Sequence, residues 1–240
     1  MSRSLLLLAT LVAASPALAE SPRYGAFEFS LGGYRPSIDA GVSGKPYQTI
    51  FGSGSGLMFR ADGAYSIFID HGTLDVGLGA GYFRKSGKGL FSVTSPAGAA
   101  GTPSQDDTAF NIIPTRATIT YRYDVLANQY RWFPLVPYAR FSLDRYWWWV
   151  TNGSGNVANA SGKSGSGATN GFSFSGGVAL QLDSLDPTLG RDMDRDTGIN
   201  HTYLFVDFEK SYIKDFGSSK SWDLSYSGGV MISGGMLFVF

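Results

Sequence analysis

The sequence contains no cysteine, which excludes disulfides, thiol nucleophiles and cysteine-ligated metals. It has only two histidines, His71 and His201, so histidine-based catalysis or metal binding has few positions to use. Charge is scarce and balanced: Asp, Glu, Lys and Arg make up 16% of the 240 residues, and 19 basic against 19 acidic side chains leave a formal net charge of zero. That balance offers no attraction to nucleic acid, and no nucleic-acid partner is expected. Long apolar runs are absent after the first 19 residues, whereas a bilayer-crossing helix takes about 20 apolar residues. A mature chain that enters a membrane must then do so as β structure, because only helices and closed barrels satisfy every backbone polar group in lipid.

What is abundant is glycine, 32 residues, together with aromatics at 15%, a composition unlike that of an ordinary helical enzyme. At the start, Arg3 precedes the apolar run "LLLLATLVAA", and Ala17-Leu18-Ala19 closes it in an A-x-A pattern. This is the three-part layout of a secretory signal, expected to be cleaved after Ala19, with residues 20–240 as a single domain. Ser15 and Pro16 interrupt the run too early for a membrane anchor.

Strict alternation dominates the rest. In "YGAFEFSLGGY", Phe27, Phe29 and Leu31 share one face against Glu28, Ser30 and Gly32. Leu57, Phe59, Ala61, Tyr65 and Ile67 oppose Arg60, Asp62 and Ser66, and "DHGT" then makes a tight turn. Leu74, Val76, Leu78, Ala80 and Tyr82 oppose Asp75 and three glycines. The segment from Ile113 to Tyr123 sets Ile113, Ala117, Ile119, Tyr121 and Tyr123 against Arg116 and Arg122, with Pro114 near its start. Ala139, Phe141 and Leu143 oppose Arg140 and Asp144; Phe172, Phe174, Val178 and Leu180 oppose Ser173, Ser175 and Gln181; and Leu204, Val206 and Phe208 oppose Asp207 and Glu209. The closing run keeps one apolar parity from Trp222 through Met236, Phe238 and Phe240, the last residue.

These segments predict an all-β fold, an antiparallel up-and-down transmembrane β-barrel of about eight strands. A β-sandwich also alternates, but its outward face carries many charges. Here the charged positions are spaced by glycine, alanine and serine, as a narrow lumen demands, while the large apolar groups suit lipid. Connections alternate long and short up to the segment from Thr151, as extended outer loops and brief inner turns require. The alternation lapses late: Ser184 to Asn200 is long where a short turn is expected, and "DFGSSK" is short where a long loop is expected. A count of ten strands stays open if "GLFSVTS" supplies a hairpin. Tyr146, Trp147, Trp148 and Trp149, just before a long polar loop, are the expected aromatic girdle at one membrane interface.

These features together resemble the small bacterial outer-membrane β-barrels of the OmpA/OmpX-like class. The opening "YGAFEFSLGGYRPSID" also resembles the first strand of a barrel family of myxobacteria and their relatives. The resemblance implies an outer-membrane location with membrane lipid as surroundings, and it implies that Phe240, with Phe238 and Met236, serves as the signal read by the barrel-assembly machinery.

No catalytic, cofactor or metal site is expected. His71 falls in an inner turn and His201 beside an inner connection, away from the rim where a lipid hydrolase would meet its substrate. "RDMDRDTG" spaces Asp192, Asp194 and Asp196 like the start of a calcium loop, but the sixth position is Thr197 instead of glycine and the twelfth is Tyr203 instead of glutamate. The inward charges are the more informative set: Arg60, Arg116, Arg122 and Arg140 share the expected lumen with Glu28, Asp62, Asp75, Asp144, Asp207 and Glu209. In a space only wide enough for side chains these should pair into a network that plugs the barrel. The leading expectation is a non-enzymatic structural or surface-interaction barrel acting through its outer loops. The alternatives are a narrow pore or a barrel carrying small or apolar molecules, then a lipid-modifying enzyme or a secreted lipocalin-like carrier.

Overall fold

The computed structural model describes residues 22–40, 42–91, 99–130, 132–160 and 162–240. The expected leader, Met1 to Ala19, lies outside the described residues. Eight strands form a closed antiparallel barrel: β1 (Gly25–Tyr34), β2 (Gly56–Ile69), β3 (Thr73–Leu90), β4 (Pro103–Arg122), β5 (Leu135–Thr151), β6 (Ser166–Gln181), β7 (His201–Ile213) and β8 (Met231–Val239). Each pairs with its neighbours in sequence, and β8 closes the ring on β1 from Ala26 opposite Val239 to Gly32 opposite Ser233. Phe240 completes the seam, its carbonyl accepting from the amides of Tyr24 at 2.7 Å and Gly25 at 2.8 Å. Within the ring, closure leaves no unpaired strand edge. Short helices α1 (Pro46–Phe51), α2 (Val125–Gln129) and α3 (Pro187–Thr197) sit in the connections.

The alternation is realised residue by residue. In β1, Phe27 and Leu31 are exposed while Glu28 and Ser30 are buried; in β4, Ile113 and Ile119 are exposed while Arg116, Thr118, Thr120 and Arg122 are buried. A slip of pairing by one residue would turn every charge outward, so the pattern fixes the register. The ten charged residues assigned to the lumen are all buried.

Several expectations are corrected. The lumen is not lined by small and charged residues throughout: Tyr34, Met58, Phe83, Ile112, Tyr146 and Met231 fill it towards the long loops, and Val136, Tyr138, Tyr203, Phe205 and Leu237 fill it towards the chain termini. The girdle of four aromatics divides, because successive residues of a strand face opposite ways. Trp147 and Trp149 face outward, whereas Tyr146 is fully buried in the lumen and Trp148 turns in to stack on Trp222 at 4.2 Å. The closing strand begins at Met231 and not at Trp222; Gly229 takes a φ of 86°, a bend that favours glycine, and the preceding residues fold over the barrel mouth.

Placing the strands resolves half of the late lapse in loop lengths: "DFGSSK" belongs to a long outer loop, 214–230, whereas the inner connection 182–200 remains long. At the end bearing the termini the connections are 70–72, 123–134 and 182–200, and at the opposite end they are 35–55, 91–102, 152–165 and 214–230. The long inner connection holds α3, started by Pro187 and by the Asp186 carboxylate accepting from the Thr188 and Leu189 amides, and ended at Gly198 with φ 74°. Asp192, Asp194 and Asp196 therefore lie on a helix, where residues two apart point away from each other and cannot wrap an ion. Residues 86–90 and 103–107 are strand, with Lys88 opposite Asp107; the hairpin considered for "GLFSVTS" runs past Phe91 outside the described residues, among which no further strand joins the eight of the barrel.

Strand lengths are uneven in one direction. β3 to β6 run 18, 20, 17 and 16 residues, against 10, 14, 13 and 9 for β1, β2, β7 and β8. A membrane-crossing strand takes about 9–11 residues. The surplus stands above the ring at the loop end, since β3 continues past Phe83, the last residue paired to β2, and β6 starts ahead of Gly171, the first paired to β7. Shortening this wall by deleting residues 85–90 together with 103–108 should leave the barrel closed. Unheated protein should still run as the compact form on a detergent gel and convert on boiling.

Candidate functional site

The barrel midsection holds one connected ion-pair network. Arg116 grips Asp62 with Nε and Nη2, both at 2.6 Å. Arg60 grips Glu209 through Nη1 and Nη2, the latter at 2.8 Å, and Arg140 grips Glu28 with both terminal nitrogens at 2.7 Å. Each is the two-pronged geometry that makes arginine–carboxylate pairs strong. Arg116 joins them, reaching Glu28 and Glu209 at 3.4 Å each. Three arginines thus balance three carboxylates. Arg122 and Asp75 form a separate pair at 3.0 Å nearer the termini, with the Ser66 hydroxyl donating to Asp75 at 2.7 Å.

Register explains how side chains two strands apart meet. Asp62, Gly79 and Arg116 lie in one line across β2, β3 and β4. A Cβ at Gly79 would fall on the Asp62 carboxylate, so glycine is the saddle over which the pair forms. The same device recurs on the far wall, where Tyr138, Gly177 and Asp207 align across β5, β6 and β7 and the Tyr138 hydroxyl donates to Asp207 at 2.9 Å. Sequence reasoning noted the crowding of glycines among the charges but missed the hydroxyl donors Tyr138, Ser66 and Ser173. Their signal was available: each sits on the inward parity of its strand.

Four arginines against six carboxylates leave two negative charges in excess among these ten residues. Asp144 and Asp207 carry them. Asp144 accepts from the Ser173 hydroxyl at 2.7 Å and Asp207 from Tyr138, and neither is ion-paired among the described residues. Removing a carboxylate that lacks a cationic partner costs far less than removing one that grips an arginine.

Above the network, the two long loops of the short wall are zipped together. The Tyr34 hydroxyl donates to the Leu224 carbonyl, the Ser37 amide to Ser225 at 2.9 Å and the Ser227 amide to Arg35 at 2.8 Å. Helix α1 is set in the first loop by Asp39, which accepts from the Tyr47 and Gln48 amides at 2.8 and 3.0 Å. The base of the last loop is a left-handed turn at Asp215 and Phe216, φ 43° and 55°. Asp215 holds it by accepting from Ser221 and from the Asn170 amides, bonds that keep its carboxyl below the usual carboxylate range. The structure thus brings together an ion-paired barrel midsection and loops zipped over the mouth.

Solved structures that this chain resembles include small outer-membrane barrels. Neisserial surface protein A aligns at TM-score 0.47 with 15% identity, covering 92% of this chain and 99% of that one. The N-terminal β-barrel domain of Pseudomonas aeruginosa OprF aligns at 0.42 with 11% identity over 91% and 100%, and a major outer membrane protein from Thermus thermophilus at 0.42 with 14% identity over 92% and 100%. No protein-family model and no curated protein matches the sequence. The barrel assignment rests on the closed strand register itself.

The remaining candidates are placed apart from this assembly. His71 lies in the exposed turn between β2 and β3 beside Asp70, at 2.9 Å. His201 is buried at the start of β7, with Asp183 at 2.7 Å and Gln181 at 3.0 Å. Both are at the end bearing the termini, in separate connections. Met236 and Phe238 lie on the outward parity of β8, with Phe238 6.1 Å from Phe29 across the seam, and Phe240 is exposed.

Substituting Arg116→Ala should destabilise the barrel by about 3–5 kcal/mol, the size of breaking a buried pair. Gly79→Val should have a similar effect, whereas Asp144→Asn and Asp207→Asn should be neutral or stabilising. The temperature at which each variant loses its compact gel mobility measures this, and equal losses in all four would contradict the proposed division of the charges. A second prediction concerns Asp215. Because its folded-state pKa is depressed, its bonds contribute above the ordinary carboxylate range and are lost as pH falls through the folded value. The protection of the Asn170 amide, its exchange rate relative to an unstructured amide at the same pH, should fall on acidification, and Asp215→Asn should remove that fall.

Proposed function

We propose that this chain is an integral outer-membrane barrel with a side-chain-filled lumen, acting as a structural or surface-interaction protein through its loop end and not as an enzyme. The observation that carries this reading is the inversion of the usual side-chain distribution. Leu57 and Leu78 are 71% and 72% exposed, and Leu143, Ile119, Phe174 and Val206 join them in the outward apolar band, while the ten charged residues assigned to the lumen are buried. In water such a continuous apolar exterior exceeds what monomeric proteins expose. In lipid it is the expected exterior of a membrane barrel.

On this reading residues 1–19 act as a cleaved export leader, residues 20–240 form the single barrel domain, and Phe240 with Phe238 and Met236 forms the signal for the barrel-assembly machinery. Trp147 and Trp149 mark the outer interface, where Arg145 lies 4.2 Å over the Trp147 ring. The competing reading as a narrow pore needs a continuous water path. The two apolar layers and the ionic midsection of an eight-stranded barrel, whose interior is just wide enough for side chains, argue against it.

The protein extracted from membranes should run faster on a detergent gel before boiling than after. Single cysteines at Leu31 and Ser30 should react with a lipid-soluble and a water-soluble maleimide in opposite preference, Leu31→Cys favouring the former. Planar bilayers should show no conductance steps. Discrete steps would reject the filled lumen, and a soluble protein with unshifted mobility would reject the membrane assignment.

A further inference from the structure

We propose that the barrel mouth carries a binding site for a single-ring aromatic molecule, in the crevice between α1, the projecting ends of β4 and β5, and Trp222. The crevice does not depend on the membrane reading, because its walls are loop and strand ends above the apolar band. Its volume is about 150 Å³, and its lining, which includes Ile38, Tyr47, Phe51, Phe110, Val150 and Trp222, is wholly apolar or aromatic.

Volume decides the class of occupant. Sites for drug-sized ligands measure roughly 300–1,000 Å³, so an acyl chain with its headgroup or a fused-ring compound is too large for this crevice to enclose. An apolar cavity of about 150 Å³ stays dry and accepts benzene. The walls already have the geometry that aromatic rings prefer among themselves. Ring centroids lie 5.0 Å apart for Tyr47 and Phe51, 6.1 Å for Phe51 and Phe110, and 6.2 Å for Phe110 and Trp222, within the range of tilted and edge-on contacts. A further ring inserted among these meets faces and edges on several sides.

The walls are also held from behind, as a preformed site requires. Asp39 fixes the start of α1, Trp222 stacks on Trp148 with the planes 19° apart, and Phe110 and Val150 are opposite one another in the β4–β5 ladder.

Phenol is the probe, added to the full-length mature protein in lipid nanodiscs and followed by near-ultraviolet circular dichroism, where the stacked Trp148–Trp222 pair gives a signal that lipid does not. A saturable change is expected. Val150→Trp, which fills the crevice from the β5 wall, should weaken it at least tenfold while keeping the compact gel mobility of a folded barrel. Phe51→Ala, which widens it, should admit 2-naphthol, which the parent chain refuses. Absence of a saturable change, or an equal change in Val150→Trp as simple partition of phenol into the bilayer would give, overturns the proposal.

Discussion

Closing eight strands into a ring leaves an interior only as wide as the side chains that fill it, and the rest of the molecule follows from that confinement. Charges placed inside are largely withdrawn from solvent, so each guanidinium is matched to carboxylates at contact distance and each carboxylate to a donor. The solution is geometric. Glycine at the middle strand of a three-strand line removes the obstacle between partners, letting Arg116 reach Asp62 over Gly79 and Tyr138 reach Asp207 over Gly177. The same glycines that weaken an ordinary strand are here what lets the ionic midsection form.

Above and below the charges the lumen turns apolar, and this layering separates the two ends of the barrel. Towards the termini, Tyr138, Tyr203 and Phe205 pack under a polar rim with His201 and Asp183. Towards the long loops, Tyr34, Phe83 and Tyr146 form a plug on which Leu224 and Tyr47 settle. The loops above are thereby fixed to the barrel by packing as well as by their own hydrogen bonds.

Much of this was legible in the chain. Outward and inward parities, the eight main strands, the tight turn at His71 and the burial of all ten lumen charges follow from a period of two that a barrel cannot violate without turning charges into its apolar exterior. The girdle was only half legible: "YWWWV" announces aromatics near an end, but a strand must send Tyr146 and Trp148 inward when it sends Trp147 and Trp149 outward. The helix in the inner connection carried its own cues in Asp186-Pro187 and Gly198, which the sequence reading did not use.

By itself, then, the sequence determined which residues share a face, because alternation is a property of consecutive residues. It also determined the charge inventory of the lumen and its excess of two carboxylates. Only the tertiary structure decided who pairs with whom. Asp62 and Arg116 are 54 residues apart, and Arg60 and Glu209 are 149 apart. Their meeting depends on the relative stagger of strands around the closed ring, which local pattern does not encode. The crevice beside Trp222 was equally out of reach, since its walls come from two loops and two strands that are brought together only when β8 closes against β1 and the first and last loops zip above the seam.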